Sequence, residues 1–237
     1  MGESRVTAFL GHFGSGKTEL ALNRALEQAA AGDRVTLADL DVVKPYFRSR
    51  AARDILAAAG VELLAPTGEN VFADLPIIVP QIRSALREPG RRLLLDVGGD
   101  DTGARVLGSL ADVLPADEIE VLLVLNFRRP STPDPDRAAA MVRAIEAVGR
   151  VAVTGLVSNT HLMGETTAQV VLDGLDMARA TAEAVGVPVV GVAVERDLVD
   201  ELAGQVLDCP LIPLRRIVRP PFEQPRSRTT GPLFVVT

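Results

Sequence analysis

A chain of 237 residues, 47% of them hydrophobic and 24% charged, is long enough for one large α/β core, and a second domain is not required. Its formal net charge of −6 argues against a surface built to wrap nucleic acid, and no uninterrupted apolar run reaches the length of a membrane-spanning helix. The one cysteine, Cys209, leaves no internal disulfide and no cysteine pair for a metal or an iron–sulfur cluster.

In chain order, the pattern predicts strands over 5–10, 34–39, 92–97, 119–126, 151–158 and 188–194. Between them it predicts helices over 16–31, 48–59, 77–88, about 102–114, 135–149, 166–185 and 197–205. The first strand begins within a few residues of the N-terminus, leaving no room for a signal peptide, so a cytoplasmic location is expected. Most strands are apolar throughout, as in Leu93-Leu94-Leu95 and Val121-Leu122-Leu123-Val124-Leu125. Strands covered on both faces read that way, which predicts a three-layer α/β/α fold around a mainly parallel sheet. Residues 1–209 are expected to form this domain. Residues 210–237 carry five prolines after Pro210 and five arginines, which forbids a long helix and predicts an extended strap of the same domain. A solvated strap is the plainer reading of it, and contact with an acidic partner or a nucleotide is the alternative.

Between the first strand and the first helix stands Gly11-His12-Phe13-Gly14-Ser15-Gly16-Lys17-Thr18, the G-x-x-x-x-G-K-[ST] phosphate-binding loop. Its glycines let backbone N–H groups turn inward around phosphate oxygens, and the helix N-terminus adds partial positive charge. Lys17 can reach the β- and γ-phosphates, and the Thr18 hydroxyl can bind Mg²⁺. The second strand ends Asp39-Leu40-Asp41, and alternation sends both carboxylates the same way. Beside a phosphate site they suit Mg²⁺ held through water and activation of an attacking water. The third strand ends Leu95-Asp96-Val97-Gly98-Gly99, a Walker B aspartate followed by a glycine whose N–H could approach a γ-phosphate.

Phosphate loop, Asp-x-Asp and Asp-x-x-Gly in this order resemble the MinD/ParA/CobQ-type nucleotide-binding family of the SIMIBI class, over about residues 4–205. The resemblance implies that Gly11, His12, Phe13, Gly14, Ser15, Gly16, Lys17 and Thr18 cradle the nucleotide. It implies that Thr18, Asp41 and Asp96 serve Mg²⁺. Lys17, Asp41, Asp96 and Gly99 would carry the catalysis, with Asp41 orienting water and Gly99 sensing the γ-phosphate. Asn159, at the end of Gly155-Leu156-Val157-Ser158-Asn159, would contact the base.

Two departures shape the functional reading. His12 stands where many members of the family place a second lysine that reaches across a dimer, and a weakly protonated imidazole cannot replace an ammonium. A homodimer stays open, but nucleotide-driven sandwich dimerisation loses its lysine. The loop itself resembles that of the metallochaperone GTPases, yet Asn159-Thr160-His161-Leu162 lacks the Lys and Asp of their guanine-reading Asn-Lys-x-Asp. ATP with Mg²⁺ is therefore expected over GTP. His12, His161 and Cys209 make no metal-ligand cluster by spacing, and the proline-rich tail supplies no amphipathic membrane helix. The expectation is an ATPase switch serving a protein partner or a larger enzyme complex. The alternative is an ATP-dependent ligase or kinase of a small metabolite, with Lys44, Arg48, Arg50, Arg128 and Arg129 as anion-binding candidates. A partition or scaffold protein ranks lower, because the chain is acidic.

Overall fold

The computed structural model describes residues 4–41, 53–65, 71–205 and 207–217 and, over 71–78, the backbone alone. Strands β1 (Val6–Gly11), β2 (Arg34–Leu40), β3 (Glu62–Leu64), β4 (Arg91–Gly98), β5 (Ile119–Leu125), β6 (Gly155–Ser158), β7 (Val189–Glu195) and β8 (Leu211–Leu214) form a single sheet. Their order is β3-β2-β4-β1-β5-β6-β7-β8, and every neighbouring pair is parallel. The helices are α1 (Lys17–Ala30), α2 (Arg53–Ala58), α3 (Val71–Arg87), α4 (Asp101–Gly108), α5 (Pro135–Gly149), α6 (Ala168–Val185) and α7 (Val199–Leu202).

Strand parity decides which side chains meet which helices. Val6, Ala8 and Leu10 of β1, Leu93, Leu95 and Val97 of β4, and Leu123 and Leu125 of β5 pack with Ile82 of α3, Leu107 of α4, Ile145 of α5 and Ala178 of α6. Phe9, Leu94, Leu122 and Val124 point the other way and pack with Leu20, Leu22 and Ala25 of α1 and Leu56 of α2. These are the two covered faces of an α/β/α sandwich. Asp96 has the parity of Leu94, and Asp39 that of Val35 and Leu37. The same alternation that builds the core therefore carries both carboxylates to the α1 face, where the phosphate loop turns into its helix.

Several elements differ from their sequence-based bounds for physical reasons. β6 begins only at Gly155, because the Thr154 hydroxyl takes the Val121 N–H at 2.9 Å where a ladder bond would otherwise run. α4 stops at Gly108, and Leu110 to Leu114 continue as tight turns. α3 starts at Val71, six residues before the expected 77, and runs through Pro76 and Pro80. Residues 48–52 of the second expected helix lie outside the described residues, and its remainder is α2. The last expected helix, 197–205, is a 3₁₀ turn at Arg196–Leu198 followed by the single turn α7. β3 was too short to announce itself. β8 emerges from the expected strap and is an edge strand, the one place in a sheet where Pro213 is tolerated.

Candidate functional site

β1 ends at Gly11, and α1 begins at Lys17 with Gly16 as its N-cap at φ 89°, ψ 12°. That left-handed conformation suits glycine, and space forbids anything larger, since a Cβ there would strike the Asn159 amide. No side chain caps α1. Its first-turn N–H groups are thus left to the loop's concave side, the arrangement that binds an anion.

The β2–β4 flank of the loop is acidic. Lys17 is buried, and its Nζ lies 2.7 Å from Asp41 Oδ2. Burial pulls the ammonium's pKa down, but Asp96, Asp41 and Asp39 overcome it and hold the lysine charged, above its ordinary value. Asp39 and Asp96 are register neighbours on β2 and β4, both fully buried, and the Asp41 N–H donates to Asp39 Oδ1 at 3.3 Å. The Thr18 hydroxyl donates to Asp96 Oδ2 at 2.7 Å. Asp96 Oδ1 is buried with no hydrogen-bond partner among the described residues. Burial raises the Asp96 carboxyl to about 7, against the opposing pull of Lys17.

Gly99 lies against the start of the loop. A Cβ on it would overlap the Gly11 carbonyl and come 2.5 Å from the His12 nitrogen. The segment after β4 thereby touches the loop backbone through a position that only glycine can fill. Asp100 caps α4 through the Gly103 N–H at 2.9 Å. His12 is half-buried; burial lowers its pKa, Asp100 raises it and Lys17 lowers it, for a net fall. Phe13, at the loop's tip, is exposed.

The β5–β6 flank grips the loop by its carbonyls. Asn159 Nδ2 donates to the Ser15 carbonyl at 2.6 Å. Asn126, fully buried at the end of β5, donates Nδ2 to the Gly14 carbonyl at 3.1 Å and accepts the Arg128 and His161 N–H groups at 3.0 and 3.3 Å. Arg129 Nε also donates to the Gly14 carbonyl, at 3.1 Å. His161 faces the same shoulder; burial, then Arg129 and Arg216, push its imidazole down to about 4 against the Gly14 backbone's upward pull. Thr160 turns inward onto Gly174 and accepts the Phe127 N–H at 3.2 Å.

Lys17, Thr18, Asp41, Asp96 and Gly99 thus converge on one side of the loop, and Asn159 sits on the other. Of the anion-binding candidates, Lys44, Arg48 and Arg50 lie outside the described residues. Arg128 pairs with Asp173 of α6 at 3.2 Å, and Arg129 is bonded to the loop. Asn126 escaped the sequence reading. Its signal was a lone amide ending the apolar run of a strand, which says nothing by itself about a neighbour 112 positions earlier. Among the described residues no group of three or more His, Cys, Asp or Glu could hold a metal alone, and no helix is long and apolar enough to cross a membrane.

No protein-family model matches the sequence, and no curated protein matches it at a significant level. Solved structures do match. FtsY from Mycoplasma mycoides aligns at 18% identity and a TM-score of 0.50, over 80% of this chain and 59% of that one. Chloroplast FtsY from Physcomitrella patens aligns at 20% and 0.55, over 81% and 59%. The cell division protein FtsY from Thermotoga maritima aligns at 21% and 0.50, over 80% and 61%. The chain thus spans about three-fifths of the length of these proteins. Such identities speak for fold alone, and the fold is the parallel α/β fold these FtsY structures share.

Proposed function

We propose that this chain is a Mg²⁺-dependent, ATP-binding switch protein that hydrolyses its nucleotide and, through the change, alters a surface read by a protein partner. The observation that carries the reading is the pair of contacts Lys17–Asp41 and Thr18–Asp96, each 2.7 Å, at the mouth of a phosphate loop. Lys17 is a buried cation aimed where β- and γ-phosphates would lie, and Asp41 shares it. Phosphate oxygens and the Asp41 carboxylate compete for one ammonium, so nucleotide binding moves the end of β2.

The donor set suits a magnesium ion. Thr18 Oγ1 and the unpartnered Asp96 Oδ1 are hard oxygen donors, too few to cage a metal but enough to hold one that phosphates also ligate. Bound there, the ion would neutralise charge developing on the phosphate oxygens. The chain's own groups do the rest. The loop N–H groups and Lys17 orient the phosphates, Asp41 positions a water and takes its proton, and Gly99 brings the following segment against the loop. ATP is favoured because Asn159-Thr160-His161-Leu162 has no carboxylate for the guanine N1 and N2 groups. Asn159 Nδ2 is committed to the Ser15 carbonyl, so its base contact would come through Oδ1.

The test is binding and hydrolysis of Mg-ATP and Mg-GTP by the full chain, with Lys17→Ala alongside. Tighter ATP binding, and a loss of roughly 100-fold or more in the variant, is expected when a charge-assisted phosphate contact is removed. Undiminished nucleotide binding by Lys17→Ala would defeat the proposal.

A further inference from the structure

The last described residues return to the helix that follows the phosphate loop. Beyond β8, the Arg215 N–H donates to Asn23 Oδ1 at 2.9 Å, and Asn23 Nδ2 donates back to the Arg215 carbonyl at 2.9 Å. The Ile217 N–H donates to both oxygens of the Glu19 carboxylate, at 3.1 Å each. Glu19 and Asn23 lie one turn apart on α1, directly after Lys17 and Thr18. Arg216 is therefore held between two fixed backbone points, and it is half-buried.

Its neighbours come from the opposite side of the sheet's centre to Asp41 and Asp96. Those carboxylates arrive on β2 and β4, to one side of β1; Arg129 and His161 arrive from the ends of β5 and β6, to the other. Arg129 Nε rests on the Gly14 carbonyl. His161 Nε2 lies 3.9 Å from where a Cβ on Gly16 would stand. The charges of Arg129 and Arg216 both act on the His161 ring. Arg129 and His161 thus stand at the shoulder of the loop away from the acidic flank, and the Arg215–Ile217 backbone is tied to the first turns of α1 beside it. On the nucleotide reading above, a polyphosphate tail would occupy the acidic flank and the loop, so what would project over this shoulder is the base and ribose end. Guanidinium groups stack on aromatic faces, and stacking needs no base-specific carboxylate.

We infer that Arg216, delivered by the C-terminal segment, forms with Arg129 a guanidinium wall on which the base of the bound nucleotide stacks, so that the C-terminal segment is part of the nucleotide site. The inference rests on the nucleotide reading above and adds to it where the base is gripped. The segment Arg215–Ile217 closes over the base end while its backbone is latched to α1 through Asn23 and Glu19. Base binding and the placement of Arg215–Ile217 are coupled through that latch.

The experiment compares Mg-ATP with Mg-tripolyphosphate, by calorimetry, for the full chain and for Arg216→Ala, Arg216→Lys, Asn23→Ala and Lys17→Ala. Arg216→Ala should weaken Mg-ATP by roughly 3- to 30-fold, the range of a cation–π contact, while Mg-tripolyphosphate changes less than about twofold, since no phosphate contact is lost. Arg216→Lys should stay weakened, because an ammonium has no planar face, and Asn23→Ala should reproduce the base-selective loss by releasing the segment. An equal loss for both ligands, an unchanged affinity for both, or full rescue by lysine would overturn the inference. Lys17→Ala separates the two claims: if it binds both ligands like the parent, the nucleotide site itself is wrong, whatever Arg216 does.

Discussion

Asp41→Asn isolates the competition at the centre of the site. The parent pair is close and largely shielded, with side-chain exposures of 7% for Lys17 and 15% for Asp41. At an effective dielectric near 20, two unit charges about 4 Å apart interact by about 4 kcal/mol. That is a ceiling here, because Asp39 and Asp96 also neutralise the lysine and remain in the variant. A net release of about 1–2 kcal/mol is expected when phosphates no longer displace Asp41, or roughly 5- to 30-fold tighter Mg-ADP binding. Turnover should move the other way, by roughly 100-fold or more, because the amide cannot accept the water's proton. Calorimetric titration of Mg-ADP and single-turnover hydrolysis of Mg-ATP give the two numbers. Weaker ADP binding by Asp41→Asn would refute the competition argument. Tighter binding with unchanged turnover would keep the competition and remove Asp41 from the chemistry.

Other perturbations probe the supports of the loop. Asn126→Ala removes a buried amide that serves the Gly14 carbonyl and two backbone N–H groups; leaving these unsatisfied should cost roughly 2–4 kcal/mol in urea unfolding, and ADP affinity should fall with it. Gly99→Ala places a methyl group into the Gly11 carbonyl, so hydrolysis should fall sharply while the melting temperature, read without nucleotide, falls by only a few degrees, about 1–2 kcal/mol of overpacking. His161 is depressed to about 4 in the folded chain by burial and by Arg129 and Arg216, whereas an unfolded histidine titrates near 6.5. The unfolded state therefore binds the extra proton between these values, and His161's contribution is complete above about pH 6.5 and lost as pH falls toward 4. Urea unfolding should show this acid limb, on the order of 3 kcal/mol, and His161→Gln should flatten it; an unchanged limb in the variant would place the titration elsewhere.

What was readable in the sequence was what repeats locally. The alternation of apolar strands and amphipathic helices is a pattern of near neighbours, and it announced a parallel α/β/α sheet. The acidic groups were readable because each ends an apolar strand, and parity alone turns Asp39 and Asp96 toward α1. Other features depend on distant partners. β3 has three residues, fewer than alternation needs, and holds its place through Glu62, which meets Arg91 and the Thr36 hydroxyl across two strands. β8 hid among prolines because the prohibition on proline in strands lapses at an edge. Asn126 directly follows β5 and His161 lies three residues past β6, and only the strand order β1-β5-β6 reveals that they meet the same loop.

The two flanks of the loop do different physical work, and the peptide plane connects them. Within one peptide unit the C=O and the following N–H point in opposite directions, and the unit is rigid. Asn126 and Arg129 fix the Gly14 carbonyl from the β5 side, and Asn159 fixes that of Ser15 from the β6 side. The N–H groups of Ser15 and Gly16 must then face away from those anchors. For Gly16 that direction is the concave side where a phosphate would sit. The Ser15 N–H keeps an internal bond to the His12 carbonyl at 3.0 Å, which closes the loop on itself. The donors are therefore set before any anion arrives, and the ordering cost is met by folding rather than by binding. The acidic flank is the opposite case. Its contacts run between charged side chains that a phosphate can displace, so its arrangement depends on what the loop holds. A β5–β6 side fixed by hydrogen bonds to loop carbonyls and a β2–β4 side held by displaceable charge pairs is the division the proposed nucleotide switch requires: one flank would recognise the ligand and the other would report it.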